Sequence, residues 1–198
     1  MSKVLLFFDF DFTLAKTFEN VRIWSPRGTE TYNGKITYSL SPNKFNVLNL
    51  ADDEELNEDS YVEFFKININ RAVPIDPILN FLKFYLLDEK NMITILSARP
   101  QAVEKDVKSF LIKNHIDDLS RVQFKGCQSA CPSKKYDFIK ERITTSEIRE
   151  IFLFEDSKKN IKFIVDNLLT QFQSITLRTC LVSPTASGVI LEFVDHVK

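Results

Sequence analysis

The chain has 198 residues, a formal net charge of −1 and 44% hydrophobic residues. This length and composition predict one α/β domain with a substantial core and room for one insertion. The balanced charge argues against a protein that coats nucleic acid in bulk or binds membranes through a polybasic surface. We expect no membrane association, because no apolar run approaches the length of a transmembrane helix.

The N-terminus and the cysteines predict a cytoplasmic protein. The first strand begins near Lys3, which leaves no room for a signal peptide. Cysteine occurs three times, and Cys127 and Cys131 are too isolated for a zinc site. Reduced thiols are therefore the expectation. The sequence predicts no particular oligomeric state.

The first predicted strand, residues 3–8, is followed at once by Asp9 and Asp11. The strand is hydrophobic without alternation, which favours burial on both faces, as in a parallel sheet. Ligands of open α/β sheets bind outside the carboxyl ends of the strands. Two carboxylates there are costly unless a cation satisfies them, and a hard divalent cation is the simplest choice. The alternative, that the two acids merely begin a turn, leaves three later motifs unexplained.

Residues 15–72 form a segment too long for an ordinary loop, and we expect an inserted cap there. The core then comprises residues 1–14 and 73–198. The elements expected in the cap are an antiparallel ribbon at 21–24 and 35–39, a short capped helix at 41–45, an acidic loop at 52–59, and a strand or extended piece at 61–67.

After the cap, apolar patterns with helical and strand spacing alternate. Repeated strand–helix units imply a parallel sheet with right-handed crossovers. The predicted helices are 77–87, 101–114, 133–143 and 158–169, and the predicted strands are 92–96, 122–124, 151–154 and 174–182.

Three of these later elements carry polar residues at their ends. The strand at 92–96 leads into Ser97 and Arg99. The helix at 133–143 has a lysine pair in its first turn, where a cation opposes the helix dipole and needs a nearby anion. The strand at 151–154 ends on Glu155 and Asp156.

Together these motifs resemble the haloacid dehalogenase-like phosphohydrolase superfamily. The resemblance rests on Asp9-x-Asp11-x-Thr13, Ser97, one lysine of the pair, and Glu155-Asp156, with fitting intervals. It implies a Rossmann-like parallel sheet flanked by helices, with a small cap between the first and second motifs. Phe12 departs from the pattern, because members often have glycine there. The wider pattern is also similar to that of phage and bacterial members, and polynucleotide-end phosphatases share the motifs.

The resemblance implies a Mg²⁺-dependent phosphatase that acts through an aspartyl-phosphate. Asp9 would be the nucleophile, and Asp11 would protonate the leaving oxygen and then activate water. Members bind Mg²⁺ through the first carboxylate and the backbone oxygen of the second Asp, here Asp9 and Asp11. Asp156 would supply a third ligand, and Glu155 would ligate the metal or orient its water.

The negative charge of the phosphoryl group has to be met by donors and cations. We assign this role to Ser97, the backbone at Ala98, and one lysine. Lys135 is preferred to Lys134, because residues 138 and 139 then follow at the spacing found in family members. Arg99 would contact the phosphate or form a salt bridge at the helix start. Thr13 is expected to brace the loop.

The expected substrate is a phosphorylated small molecule or a nucleic-acid terminus, and the cap is expected to choose between them. Bases interleaved with aromatics would let the cap stack on a nucleobase, or Trp24 and Tyr38 would simply form the core of the cap. Two alternatives remain: a phosphotransferase or mutase with the same intermediate, and a catalytically retired phosphate-binding module. The cap residues concerned are Arg22, Trp24, Arg27, Tyr32, Lys35 and Tyr38.

Overall fold

The computed structural model describes residues 3–41, 44 and 48–196. Most of the helix expected at 41–45 lies outside these residues. In chain order the strands are β1 (Val4–Phe8), β2 (Ala15–Lys16), β3 (Val21–Trp24), β4 (Glu30–Tyr32), β5 (Lys35–Leu40), β6 (Val73–Pro74), β7 (Met92–Ser97), β8 (Val122–Gly126), β9 (Glu150–Glu155), β10 (Thr176–Pro184) and β11 (Val189–His196). The α-helices are α1 (Asp76–Leu86), α2 (Glu104–Lys113), α3 (Pro132–Thr145) and α4 (Lys158–Gln171), and short 3₁₀ helices span Glu58–Phe65 and Gln101–Val103.

In the described part of the chain, six strands form one central sheet in the order β11-β10-β9-β1-β7-β8. All neighbouring pairs are parallel except β10 and β11. After β8 the chain returns across β1 to begin β9, so the direction of winding reverses between β1 and β9. The expected α/β class and the mostly parallel sheet are confirmed. The strand β11 was not predicted, although the apolar run from Val189 to Val194 is a signal for it.

Helices cover both faces of the sheet, because alternate residues of each buried strand point to opposite sides. Leu6 and Phe8 of β1 pack in a core cluster that includes α1 and α2. Leu5 and Phe7 pack in a second cluster that includes α3 and α4. The continuous hydrophobic pattern of β1 therefore reports burial on both faces, as predicted.

The expected cap emerges from a short two-stranded stem in which β2 pairs with β6. The predicted ribbon is confirmed as β3 and β5, with β4 as a third strand on the other side of β5. Asn33 and Gly34 form the β4–β5 turn with positive φ angles of 48° and 76°, which these two residue types tolerate best. The strand expected at 61–67 is wrong, because most of it belongs to the 3₁₀ helix Glu58–Phe65.

That 3₁₀ helix is specified by its first residues rather than by apolar alternation. Asn57 caps it by accepting from the amide of Asp59, and Ser60 Oγ accepts in return from the amide of Asn57. Capping boxes of this kind start helices. The prediction of an extended piece rested on the apolar residues alone and did not take the capping residues Asn57 and Ser60 into account.

Cys127, Cys131 and Cys180 are free thiols, in agreement with the expectation of reduced cysteines. Among the described residues, every helix is too short or too polar to cross a membrane.

The turn that follows β7 rests against the end of β8. A Cβ added to Gly126 would lie 2.5 Å from both the backbone nitrogen of Gln101 and the carbonyl carbon of Pro100. These are backbone atoms, so the turn itself would have to move. A glycine at this position therefore permits the close approach that places the residues after β7.

We expect Gly126→Ala to lower the free energy of unfolding by about 1–3 kcal/mol, the usual cost of overpacking a rigid site. Denaturant titration would measure the change. Gln123→Ala, at an exposed position of the same strand, is the control and should be nearly neutral. Equal stability of the two variants would show that the turn does not rest on β8.

Candidate active site

The loop after β1 is closed by its own backbone hydrogen bonds. The amide of Asp9 donates to the carbonyl of Phe154 at 2.9 Å, which extends the β1–β9 pairing by one step. Further on, the amides of Leu14 and Ala15 both donate to the carbonyl of Phe10 at 3.0 Å. Phe12 has a positive φ of 58°. Such a conformation favours glycine, so Phe12 carries a steric cost that glycine would avoid.

A buried carboxylate cluster lies where β1 and β9 end. Phe8 and Phe154 are paired in register, so the residues after them are neighbours. One carboxylate oxygen from each of Asp9, Glu155 and Asp156 lies within 4.8 Å of the others. The structure thus brings together three of the four predicted metal-binding residues through their side chains. Asp11 was assigned to the metal through its backbone oxygen.

Lys135 is the lysine that enters this cluster. Its Nζ donates to Asp9 Oδ1 and to Glu155 Oε2, both at 2.7 Å. Lys135 shares the inward stripe of α3 with Ile139 and Ile143, which follow at intervals of four residues. Lys134 is one step away from that stripe and is exposed. The choice of Lys135 over Lys134 therefore agrees with the geometry.

The electrostatics of the cluster show an excess of negative charge. Burial raises the pKa of Asp9 from 3.8 to about 7, although the neighbouring Lys135 acts in the opposite direction. Burial and then Glu155 hold the pKa of Asp156 well above its usual range. Burial alone would lower the pKa of Lys135, but Asp9 and Glu155 raise it. One ammonium group does not balance three carboxylates, so the cluster could hold a cation.

Ser157 and Asn160, which follow the Glu155-Asp156 motif, hold the Glu155 carboxylate in place. Its Oε1 accepts from Asn160 Nδ2 at 3.1 Å and from the amide of Ser157 at 3.3 Å. Ser157 also caps α4 by accepting from the amide of Asn160. Sequence reasoning missed Ser157 and Asn160 as site residues, although a serine just before a helical pattern is a recognisable capping signal.

Asp11 does not join the cluster but pairs with Arg99. Arg99 Nε donates to Asp11 Oδ2 at 2.9 Å and Nη2 donates to Oδ1 at 2.7 Å, which is a bidentate ion pair. Thr17 Oγ1 donates to the same Oδ1 at 2.6 Å. Of the two roles considered for Arg99, the structure shows a salt bridge. Its partners lie in the loop after β1 and in the cap rather than at a helix start.

The remaining donors of Arg99 reach the cap. Nη2 donates to Glu19 Oε2 at 2.8 Å, and Nη1 donates to the carbonyls of Phe64 and Lys66 at 3.3 and 3.0 Å. Only 1% of the Arg99 surface is exposed. Glu19 was missed by sequence reasoning, and no local pattern marks an acid that meets an arginine 80 residues later.

The other predicted phosphate-binding residues line the loops beside the cluster. Ser97 is fully buried, and its Oγ accepts from the amide of Arg99 at 3.1 Å. Ala98 follows it, and its carbonyl accepts from the amide of Ser129 at 3.0 Å. Thr13 is also buried, but its Oγ1 has no hydrogen-bond partner among the described residues. Thr13 contributes to the loop through its backbone amide, which donates to the Phe10 carbonyl at 3.4 Å, and not through its hydroxyl.

The cap residues proposed for base recognition are largely engaged in packing. Trp24 is 7% exposed and meets the Tyr32 ring edge-on at 6.4 Å. Arg22 stacks on Tyr32 at 3.8 Å, Tyr38 donates to Glu54 at 3.0 Å, and Arg27 pairs with Asp53. These contacts favour a cap core over a base-stacking platform. Lys35 is exposed on the surface.

No known family model, curated protein or solved structure gives a match to this chain. Any functional assignment therefore rests on the geometry and charge of the site itself.

We predict that the metal-free protein loses stability as the pH rises from about 4 to about 7. The folded chain holds a proton on Asp9 that the unfolded chain releases near pH 3.8, so this contribution is lost as the pH passes about 7. The free energy of unfolding should be measured in a chelator at several pH values. Asp9→Asn should gain stability relative to the wild type across this window, and a difference that stays constant with pH would contradict the prediction.

Proposed function

We propose that this protein is a Mg²⁺-dependent phosphomonoesterase of the haloacid dehalogenase-like type, which acts through an aspartyl-phosphate on Asp9. The observation that carries the proposal is the buried cluster of Asp9, Glu155, Asp156 and Lys135 at the point where the sheet reverses its winding. Ligand sites of open α/β sheets form at such switch points, outside the carboxyl ends of the strands.

The donor set fits a hard divalent cation. Asp9, Glu155 and Asp156 offer carboxylate oxygens, and Mg²⁺ prefers oxygen ligands from one or two carboxylates together with water and substrate phosphate. Burial of these acids with too little compensating charge supports the same assignment. When bound, the metal would supply charge neutralisation between the anionic nucleophile and the anionic substrate.

The side chains divide the reaction between two carboxylates. An Asp9 oxygen would attack phosphorus as the bond to the leaving oxygen breaks, which leaves the phosphoryl group on Asp9. After release from Arg99 and uptake of a proton from solvent, Asp11 would protonate the leaving oxygen, and the resulting carboxylate would later take a proton from the water that cleaves the aspartyl-phosphate. Asp11 suits this role because its side chain is 19% exposed, more open than that of Asp9.

Lys135 and Ser97 would meet the charge of the transferring group. Lys135 already orients Asp9 through Oδ1 and cannot leave the cluster without exposing unpaired carboxylates. Asp9, Ser97 and Lys135 are all at most 5% exposed. We therefore propose that substrate enters when the cap moves, and that closure excludes water from the reaction.

A phosphatase screen with Mg²⁺ tests the proposal and the substrate class together. The panel should contain nucleotides, oligonucleotides with terminal phosphates, sugar phosphates and a phosphoprotein. Release of inorganic phosphate supports the proposal. Transfer of phosphate to an acceptor would instead identify a phosphotransferase or mutase, and binding of Mg²⁺ and phosphate without turnover would identify a phosphate-binding module.

We expect Asp9→Asn to lower turnover by about 10³-fold or more, because the amide is not an anionic nucleophile. The fold should be retained, because the change removes one of several crowded buried charges. Rates should be measured with Asp166→Asn as control, an exposed acid on α4 that is outside the cluster. Wild-type rates in Asp9→Asn would rule out an aspartyl-phosphate at this position.

We expect Asp156→Ala to raise the Mg²⁺ concentration needed for half-maximal activity by about 10–100-fold, with a smaller effect on substrate affinity. The reason is that Asp156 would act on the metal rather than on the phosphate. Activity should be titrated with Mg²⁺ at saturating substrate. A fall in activity with an unchanged titration would transfer the ligand role to Glu155.

A further inference from the structure

The first arm of the two-stranded stem has one buried side and one exposed side. Ala15 and Thr17 are 0% and 5% exposed, whereas Lys16 and Phe18 between and after them are open to solvent. An alternation of this kind is typical of an extended chain, in which successive side chains point to opposite sides. Across the stem, Lys16 is paired with Val73, which is also exposed. The outward side of the stem is therefore a free surface.

Two cations lie beside the exposed ring of Phe18 on this surface. Lys16 Nζ lies 5.9 Å and the Arg71 guanidinium carbon 5.4 Å from the ring centroid, both within cation–π range. Within the described part of the chain, neither cation forms an ion pair with a carboxylate. Glu19, the acid next to the ring in sequence, is bound to Arg99 instead. We call Lys16, Phe18 and Arg71 the stem face: an aromatic ring with two positive charges that no described acid neutralises.

The stem face lies beside the candidate site without being part of it. Thr17 donates its hydroxyl to Asp11 Oδ1 at 2.6 Å. Its two neighbours in the chain belong to the stem face and, because the segment is extended, point away from Asp11. A phosphate bound at Asp9 would therefore not touch the stem face. Only a substrate that continues beyond its phosphorylated end could reach both places.

We propose that the stem face binds the nucleotides next to the terminal one of a single-stranded nucleic acid, so that the substrate is a phosphorylated nucleic-acid end. The inference rests on the proposed function, because it assigns a substrate class to the same site. A free nucleotide or a sugar phosphate would end inside the site and leave the stem face unused.

A single strand has the two chemical properties that the stem face matches. Its backbone phosphates are negative at regular intervals, and its bases have flat π faces that stack on aromatic rings and on arginine planes. In a duplex these π faces are already stacked on one another, so a base free to meet Phe18 has to come from a single strand. Two cations on a chain with a net charge of −1 support a short contact near an end rather than binding along a polymer.

The test compares two substrates that carry the same phosphorylated nucleotide. One is the free nucleoside monophosphate, and the other is a single-stranded oligonucleotide of about eight nucleotides that ends in it, with the phosphate at the 5′ or the 3′ terminus. The value of kcat/KM should be measured for Phe18→Ala and Arg71→Gln at fixed Mg²⁺ and several KCl concentrations. Phe84→Ala and Lys162→Gln are the matched controls, because they remove an exposed ring from α1 and an exposed charge from α4.

We expect Phe18→Ala to lose about 5–100-fold in kcat/KM on the oligonucleotide, the usual effect of removing one stacking ring, and less than about threefold on the mononucleotide. Arg71→Gln should make the log–log dependence on salt less steep by about 0.7, the counterion release of one phosphate on a single strand. Each control should change both values by less than about threefold. Thermal unfolding would identify a variant that fails to fold, and Phe18→Leu, which keeps an apolar side chain without a ring, then takes its place.

Binding gives a second measurement that does not depend on turnover. The Asp9→Asn protein should hold the labelled oligonucleotide intact, and fluorescence anisotropy would give its dissociation constant. Adding Phe18→Ala to Asp9→Asn should weaken this binding by about the same 5–100-fold.

Equal kcat/KM values of the wild type for the two substrates, or equal losses on both in Phe18→Ala, would overturn the inference while leaving the proposed function intact. A preference for a phosphoprotein over the oligonucleotide would do the same. Losses on the oligonucleotide that are as large in Phe84→Ala and Lys162→Gln would also overturn it, because the effect would not belong to the stem face. Failure of the wild type to hydrolyse any phosphomonoester would overturn the proposed function, and the inference with it.

Discussion

The crowding of three carboxylates around one ammonium group is the constraint on which the rest of this site depends, with Asp9 and Glu155 buried and Asp156 half-buried. Lys135 donates to Asp9 and Glu155 at 2.7 Å, while Asp156 adds a third negative charge that no described lysine or arginine pairs with. An unpaired buried charge costs several kcal/mol, and acids in such environments cluster at functional sites. The same cost raises the pKa values of Asp9 and Asp156, which favours the protonated forms of both acids.

The order of the strands explains how residues far apart in sequence reach this cluster. β1 lies between β7 and β9, so the residues after these three strands meet at one edge of the sheet. The chain winds outwards from β1 through β7 to β8, then crosses back to β9. The crevice opened by this reversal lies between Asp9 and Glu155, and the first turn of α3 brings Lys135 in beside them. The position of the cluster is thus a consequence of topology as much as of local sequence.

Much of the core and the cluster could be predicted from sequence because each signal there is local. A continuous apolar run marks β1, and the interval of four residues between Lys135 and Ile139 marks the inward stripe of α3. The contacts of Arg99 could not be predicted in this way, because its partners Glu19 and Phe64 come from a segment without a strong periodic pattern. The 3₁₀ helix was missed for a related reason: its capping residues carry the signal, and its apolar residues do not.

Arg99 and Phe12 show that contacts outside the loop after β1 help to hold its shape. Phe12 adopts a left-handed conformation that costs about 1–2 kcal/mol for a residue with a Cβ, so the loop does not owe its shape to local preference. Its fixed points are the Phe10 carbonyl, which accepts two amides of the same loop, and the Asp11 carboxylate, which is clamped by Arg99 and Thr17. Because Arg99 is in turn held by both arms of the cap, the shape of the loop and the position of the cap form one mechanical unit. Arg99 thus links the loop after β1 to both arms of the cap through a single buried side chain.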